Sequence, residues 1–179
     1  LGLKRGDRVA LMMPNVLQYP VALFGALRAG LVVVNTNPLY TAPEMEHQFA
    51  DSGSTGLVVI DLFADKVAQV LKKTSIRTVV VVTIADLLPL VSRTLVRVVQ
   101  KYVKKQVPAA TFAYTTFDAA LAAGRRKLDS GADATVYLEG VTDDRVATLQ
   151  YTGGTTGVSK GAVLTEGNLL ANIAQCIEV

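Results

Sequence analysis

The segment best suited to chemistry is a run of ten residues, nine of which are glycine, threonine, serine or lysine. Glycine lets backbone N–H groups turn toward an anion, hydroxyls add short hydrogen-bond donors, and lysine adds a cation. This mixture suits a polyphosphate, whereas a flexible turn would need the glycines but not the other groups. The run consists of Thr152, Gly153, Gly154, Thr155, Thr156, Gly157, Val158, Ser159, Lys160 and Gly161.

Two familiar motifs fit the same residues less well. A P-loop needs a glycine, four residues and then Gly-Lys-Ser or Gly-Lys-Thr, whereas here Lys160 follows Ser159. Residues 157–161 do match Gly-x-Ser-x-Gly, so a serine hydrolase with Ser159 as nucleophile is the alternative from another reaction class. That enzyme would need a tight strand-to-helix turn and a later histidine, yet His47 lies far before the serine. The polyphosphate loop is therefore the favoured interpretation.

Five short apolar runs predict the strands that must position this segment. They are continuous and rich in β-branched residues, as expected for parallel strands covered on both faces. The last of them ends at Tyr151, directly before the polar run. The five runs are residues 9–13, 31–35, 56–60, 78–83 and 146–151.

Helical segments alternate with these strands. Residues 19–29 end at Gly30, a suitable C-terminal cap, and Thr41 with Glu44 has capping-box spacing before a helix that stops near Gly53. Two further helices are predicted over residues 63–73 and 116–127. The alternation predicts an α/β fold, with a mainly parallel sheet and helices on both faces.

Residues 84–107 predict a basic amphipathic helix that is regular after Pro89. At about 100° per residue, basic side chains fall on one side and apolar side chains on another. A solvated surface helix over the core is the favoured interpretation, and contact with an anionic membrane is the alternative. The basic side consists of Arg93, Arg97, Lys101, Lys104 and Lys105, and the apolar side of Leu88, Val91, Leu95, Val98, Val99 and Tyr102.

The composition excludes several classes of protein. With 18 basic and 15 acidic residues, the net charge of +3 is too small to indicate nucleic-acid binding. One cysteine, Cys176, excludes an internal disulfide, and one histidine, His47, excludes the usual zinc sites. A reducing, cytoplasmic setting fits these counts. The uncharged stretch over residues 9–27 contains two prolines, which argues against a membrane span.

The polar run resembles the phosphate-binding core motif of the acyl-adenylate-forming enzymes, which include acyl-CoA synthetases, luciferases and peptide-synthetase adenylation domains. Nearly the whole chain takes part in the resemblance, which is weakest over residues 85–141. Residues 37–40 and 151–154 look most like bacterial long-chain fatty-acid:CoA ligases. The matching segments are residues 6–10, 14–15, 26–30, 34–40 and 149–162, followed by Leu164, Thr165 and Asn168.

The resemblance implies that residues 1–179 are a partial N-terminal AMP-binding domain, without the rest of that domain or a C-terminal lid domain. The first residue, Leu1, is not an initiator methionine, which fits this expectation. Enzymes of this family join a carboxylate to the α-phosphate of ATP, expel pyrophosphate and then let the CoA thiol attack the acyl-adenylate. The resemblance therefore implies ATP and Mg²⁺ as cofactors, CoA as co-substrate and a fatty acid as substrate. Another acid:CoA ligase and a noncatalytic fragment remain alternatives.

The resemblance assigns phosphate binding to the polar run and catalysis to no residue of this chain. Backbone N–H groups, the Thr155 and Thr156 hydroxyls and Lys160 would hold the β- and γ-phosphates. The lysine that stabilises the adenylation transition state in relatives lies in the C-terminal domain. The assigned nucleotide-binding residues are Tyr151, Thr152, Gly153, Gly154, Thr155, Thr156, Gly157, Ser159, Lys160 and Gly161.

Ser159 and Glu166 depart from the family pattern, and His47 and Cys176 take no part in the assignment. Ser159 replaces a proline and Glu166 a histidine that many family members have, and a carboxylate near bound phosphates would repel them, so Glu166 receives no role. His47 is interpreted as a surface helix residue and Cys176 as a buried, small apolar group. A homo-oligomer and peripheral contact with the inner face of a membrane are open hypotheses, and no nucleic acid is expected.

Overall fold

The computed structural model describes residues 1–104, 107–152 and 159–177. Its strands are β1 (Arg8–Met12), β2 (Val32–Asn35), β3 (Gly56–Ile60), β4 (Thr78–Val82), β5 (Thr115–Thr116), β6 (Val146–Thr152) and β7 (Lys160–Thr165). They form one sheet of seven strands in the order β5-β4-β3-β1-β2-β6-β7. Neighbouring strands are parallel except for β6 and β7, which are antiparallel. The five predicted apolar runs are confirmed as β1 to β4 and β6.

The helices are α1 (Gln18–Arg28), α2 (Ala42–Asp51), α3 (Ala64–Val70), α4 (Leu90–Val98), α5 (Phe117–Asp129) and α6 (Glu166–Ile177). The predicted capping box at the start of α2 is confirmed, since Glu44 Oε2 accepts the Thr41 backbone N–H at 2.7 Å. Gly30 and Gly53 follow α1 and α2 with φ of 72° and 61°, a conformation that glycine adopts without steric cost. The predicted helix over residues 63–73 is α3 with a 3₁₀ turn on either side, because the hydrogen bonding tightens at both ends.

Helices cover both faces of the sheet, which confirms the predicted fold class. Ala26 of α1 and Phe117 of α5 pack on one face. On the other face, Met45 and Phe49 of α2 and Val67 of α3 pack together with strand residues. The strand side chains are buried by this packing, which explains why the strands are continuous apolar runs.

The basic amphipathic helix is present as α4 and continues into a π-helical turn over Val99–Val103. Its basic side is largely exposed, as the favoured interpretation of a solvated surface helix expected, but its two arginines also form ion pairs. Arg93 pairs with Asp118, and Arg97 Nη2 lies 2.7 Å from Asp86 Oδ1. The Asp86 side chain is only 3% exposed, and a buried carboxylate needs charged partners, so both guanidinium groups lie beside it although the Arg97 side chain stays 45% exposed.

The apolar side of α4 and of the π-helical turn is exposed. Lys101, in the π-helical turn, and Lys104, directly after it, are also exposed. Lys105 lies outside the described residues. The exposed apolar side chains are Leu90, Val91, Leu95, Val98, Tyr102 and Val103, which we call the α4 apolar row.

Two strands are absent from the sequence prediction. β5 has two residues and takes its place by pairing with β4, which no local pattern reveals. β7 begins inside the polar run, where lysine and glycine give no strand signal. In the described part of the chain, no helix has the length and apolar character needed to cross a bilayer.

Candidate phosphate-binding site

The two ends of the polar run are paired strands and not loop. Thr152 at the end of β6 lies opposite Lys160 at the start of β7, and Tyr151 lies opposite Gly161. The prediction of a loop from residue 152 to residue 161 is therefore too long at both ends, because backbone pairing between β6 and β7 extends into the run. Directly opposed residues of an antiparallel pair share a face, so Thr152 and Lys160 lie side by side, both exposed.

The middle of the run is not part of the structural description. Five of the assigned phosphate-binding residues lie there, outside the described residues. The structure thus brings the other five together at the carboxyl end of β6 and leaves their binding role a prediction. The five outside the description are Gly153, Gly154, Thr155, Thr156 and Gly157.

Tyr151 is buried against its strand partner and tied to α2. A Cβ on Gly161 would lie 2.9 Å from Tyr151 Cε2, so only glycine leaves room for the ring. The Tyr151 hydroxyl donates a hydrogen bond to Asp51 Oδ2. Burial raises the pKa of Tyr151, and the bond to Asp51 raises it further, so the phenol keeps its proton and remains the donor.

His47 contacts the other end of the run. Its Nε2 lies 3.1 Å from the backbone carbonyl oxygen of Ser159, so the ring nitrogen donates in this bond. The side chain is half-buried, which corrects the interpretation of His47 as a simple surface residue. Sequence reasoning missed this contact because it joins residues 112 positions apart.

A polar cavity of about 570 Å³ lies at the same edge of the sheet, where β1, β2 and β6 end. Asn35 and Gln150 are opposite one another on β2 and β6, and Asn35 Nδ2 donates to Gln150 Oε1 at 3.0 Å. The Tyr19 hydroxyl donates to Asn35 Oδ1 at 2.8 Å. Burial raises the pKa of Tyr19, so this hydroxyl also stays protonated. The cavity is therefore lined by the hydrogen-bonded side chains of Tyr19, Asn35 and Gln150. It lies at the carboxyl edge of the strands, where ligands of parallel sheets bind.

Glu166 is remote from the start of β7 and from Lys160. It begins α6 directly after β7, and at about 3.3 Å per residue this six-residue strand puts it about 20 Å from Lys160. Its carboxylate pairs with Arg145, which precedes β6. The repulsion considered from the sequence is absent because the charge faces the opposite edge and has a cation beside it.

The geometry disfavours the serine hydrolase. Ser159 precedes strand β7, whereas a nucleophile elbow leads from a strand into a helix. His47 contacts the carbonyl oxygen of Ser159 and not its hydroxyl. Cys176 is exposed on α6, so its interpretation as a buried apolar group is wrong, because α6 contributes no buried residue in the described structure.

The fold and the strand pair around the polar run agree with the family model of the AMP-binding enzymes, which residues 1–179 match over their whole length. The chain belongs to the AMP-binding enzyme family, which confirms the resemblance. The long-chain-fatty-acid–CoA ligases of Salmonella typhimurium and Bacillus subtilis are 51% and 35% identical to it over 175 residues. Each alignment covers 98% of this chain and 30% of the relative.

Solved structures agree with this placement. An ATP-bound MatB from Rhodopseudomonas palustris has a TM-score of 0.65 at 26% identity, covering 99% of this chain and 28% of its own. A long-chain-fatty-acid-CoA ligase from Archaeoglobus fulgidus has a TM-score of 0.62 at 27% identity, covering 98% of this chain and 28% of its own. The chain spans about 30% of the length of the curated relatives it matches.

Proposed function

We propose that the protein containing this chain is an ATP-dependent long-chain fatty-acid:CoA ligase. The observation that carries the proposal is the Gly/Thr/Ser/Lys run between β6 and β7 in a chain 51% identical to a long-chain-fatty-acid–CoA ligase. The reaction forms an acyl-adenylate from the fatty acid and ATP with loss of pyrophosphate. The CoA thiol then displaces AMP to form the thioester.

In this proposal the chain binds and orients the ATP phosphates. The Lys160 ammonium and the Thr152 hydroxyl, side by side at the strand ends, donate to phosphate oxygens, and the glycine-rich middle of the run adds backbone N–H groups. Holding the β- and γ-phosphates fixes the direction of in-line attack and offsets the charge that develops on departing pyrophosphate. No residue of this chain is assigned as catalytic.

We propose that Mg²⁺ enters as its complex with ATP. Mg²⁺ keeps several waters and is usually held by substrate phosphates with one or two carboxylates. At this edge of the sheet the Asp51 carboxylate already accepts the Tyr151 hydroxyl, so it is a poor ligand for the ion. The described side chains at the strand ends therefore fit the phosphates better than the metal.

The same proposal places the protein in the cytoplasm, with α4 in peripheral contact with an anionic membrane. The α4 apolar row supports this, together with exposed Lys101 and Lys104 beside it. An amphipathic helix with an exposed apolar side and flanking lysines suits the interface of an anionic bilayer. Self-association through exposed apolar side chains is the accompanying proposal for a homo-oligomer.

The test of the proposed function is Lys160→Ala in the full-length protein, followed by fatty-acid-dependent exchange of pyrophosphate into ATP. Loss of one charge-assisted contact costs about 1.5 to 3 kcal/mol, so exchange should slow by about 10- to 150-fold. The control is Lys127→Ala, which removes an exposed lysine of α5. An exchange rate equal to that of the parent in Lys160→Ala would contradict the assignment of Lys160 to a phosphate.

A further inference from the structure

One side of α2 contacts both strands that flank the phosphate-binding run. His47 and Asp51 are four residues apart on this helix and therefore lie on the same side. Asp51 accepts the hydroxyl of Tyr151 on β6, while His47 Nε2 lies 3.1 Å from the carbonyl oxygen of Ser159, directly before β7. The helix α2 thus contacts both the C-terminal end of β6 and the residue directly before β7.

The helix that carries these two side chains is itself firmly held. Met45 and Phe49 are fully buried in the core beneath α2. Gln48 Nε2 donates to the Asn35 carbonyl oxygen at the end of β2, at 2.8 Å. Buried contacts and a hydrogen bond to the central sheet make α2 a rigid support, which is what a positioning residue needs.

The bond at Asp51 also acts on the pairing of the two strands. The Tyr151 ring lies against Gly161, its partner on β7, in the space that a Cβ would occupy. The hydrogen bond to Asp51 therefore restricts the position of the Tyr151 ring, and this ring contacts Gly161. The next pair along the strands is Thr152 with Lys160, the described residues proposed to bind phosphate.

We propose that His47 and Asp51 are positioning residues for ATP binding. They hold the ends of β6 and β7 so that Thr152 and Lys160 stand side by side before the nucleotide arrives. This inference rests on the proposed ligase function. Neither residue is expected to touch ATP: His47 acts through Ser159, and Asp51 acts through Tyr151.

The test uses the full-length protein and measures fatty-acid-dependent pyrophosphate exchange as a function of Mg·ATP and of fatty acid. His47→Ala and Asp51→Ala should each raise the KM for Mg·ATP by about 3- to 10-fold, the range expected for one lost hydrogen bond. The KM for the fatty acid should stay at the parent value. His47→Gln, whose amide N–H can donate to Ser159, and Asp51→Asn, whose amide oxygen can accept from Tyr151, should bring the KM for Mg·ATP to within about 2-fold of the parent.

The matched control is Glu46→Ala on the same helix. Glu46 Oε2 pairs with Lys73 at 2.9 Å, so this change removes a contact of α2 that does not involve β6 or β7. It should leave the KM for Mg·ATP unchanged. The inference is overturned if His47→Ala and Asp51→Ala lower the melting temperature but not the affinity for Mg·ATP, or if Glu46→Ala raises that KM equally. A parent protein with no fatty-acid-dependent exchange would instead overturn the proposed function.

Discussion

Asp61 is a buried carboxyl group whose charge opposes folding. It follows β3, is 9% exposed, and its Oδ1 has no hydrogen-bond partner among the described residues. Burial, and after it the negative charge of Asp86, raises the pKa of Asp61 from its ordinary 3.8 to about 6. The folded state then binds the proton more tightly than the unfolded state. Asp61 therefore favours folding most below about pH 4, and this contribution is lost as the pH rises through 6.

We predict that Asp61→Asn stabilises the full-length protein near pH 8 and loses this advantage toward pH 4. The shift of about two pKa units corresponds to at most about 3 kcal/mol, and we expect about 1 to 3 kcal/mol at pH 8. Urea unfolding at several pH values measures the difference. Asp65→Asn, at an exposed position of α3, is the control and should show little pH-dependent change. Destabilisation by Asp61→Asn that grows as the pH rises would mean that the carboxylate has a favourable partner, and would contradict this prediction.

At the scale of the element, α4 shows how a few charges orient a helix. Arg97 lies 2.7 Å from the buried carboxylate of Asp86, and Arg93 pairs with Asp118 on α5. An uncompensated buried charge costs several kcal/mol, so the guanidinium groups of both arginines lie beside Asp86. Because Arg97 is already paired with Asp86, Lys101 and Lys104 are the residues that we assign to membrane contact.

We predict that the full-length protein binds anionic vesicles through α4. Binding should weaken as salt rises, and Lys101→Glu with Lys104→Glu should lower the partition coefficient by at least about 30-fold, since each lysine near the surface contributes about 1 kcal/mol. The control reverses two exposed charges at the end of α5, Arg126→Glu with Lys127→Glu. Equal partitioning of the parent and the α4 variant would leave the α4 apolar row without a role at the membrane.

At the scale of the whole molecule, the 179-residue chain has two apolar surfaces that nothing in the described structure covers. One is the α4 apolar row, and the other lies on α6, where Leu170, Ile173 and Ile177 are each more than half exposed. Apolar patches of this kind mark contact surfaces or promote association. The chain also spans only about 30% of the length of its curated relatives, so most of each relative lies outside the part that matches this chain.

We predict that the 179-residue chain by itself self-associates and binds Mg·ATP weakly or not at all. Phosphate contacts are only part of a nucleotide site, and ordering a glycine-rich segment on the ligand costs conformational entropy. Light scattering measures the self-association, and calorimetry measures the binding of Mg·ATP. Ile173→Lys should reduce association, whereas Asn172→Lys, which adds the same charge elsewhere on α6, should not. Micromolar Mg·ATP binding by a monomer would contradict this prediction.

The sequence by itself determined most of the elements and the class of protein. Continuous β-branched runs identified five strands, the Thr41 and Glu44 pair marked the start of α2, and the polar run identified the family. These features depend on residues close together in the chain. Local backbone preference and side-chain periodicity are therefore enough to predict them.

Only the tertiary structure decided which distant residues contact the two ends of the polar run and which way α4 faces. Tyr151 meets Asp51 across 100 positions, and no pattern around either residue encodes the other. Periodicity shows that a helix has two different sides. The contacts of Arg93 and Arg97 with the buried Asp86 decide which side of α4 faces the rest of the protein. Likewise, the pairing of β7 with β6 turned part of a predicted loop into strand, because strand pairing depends on a distant partner more than on local propensity.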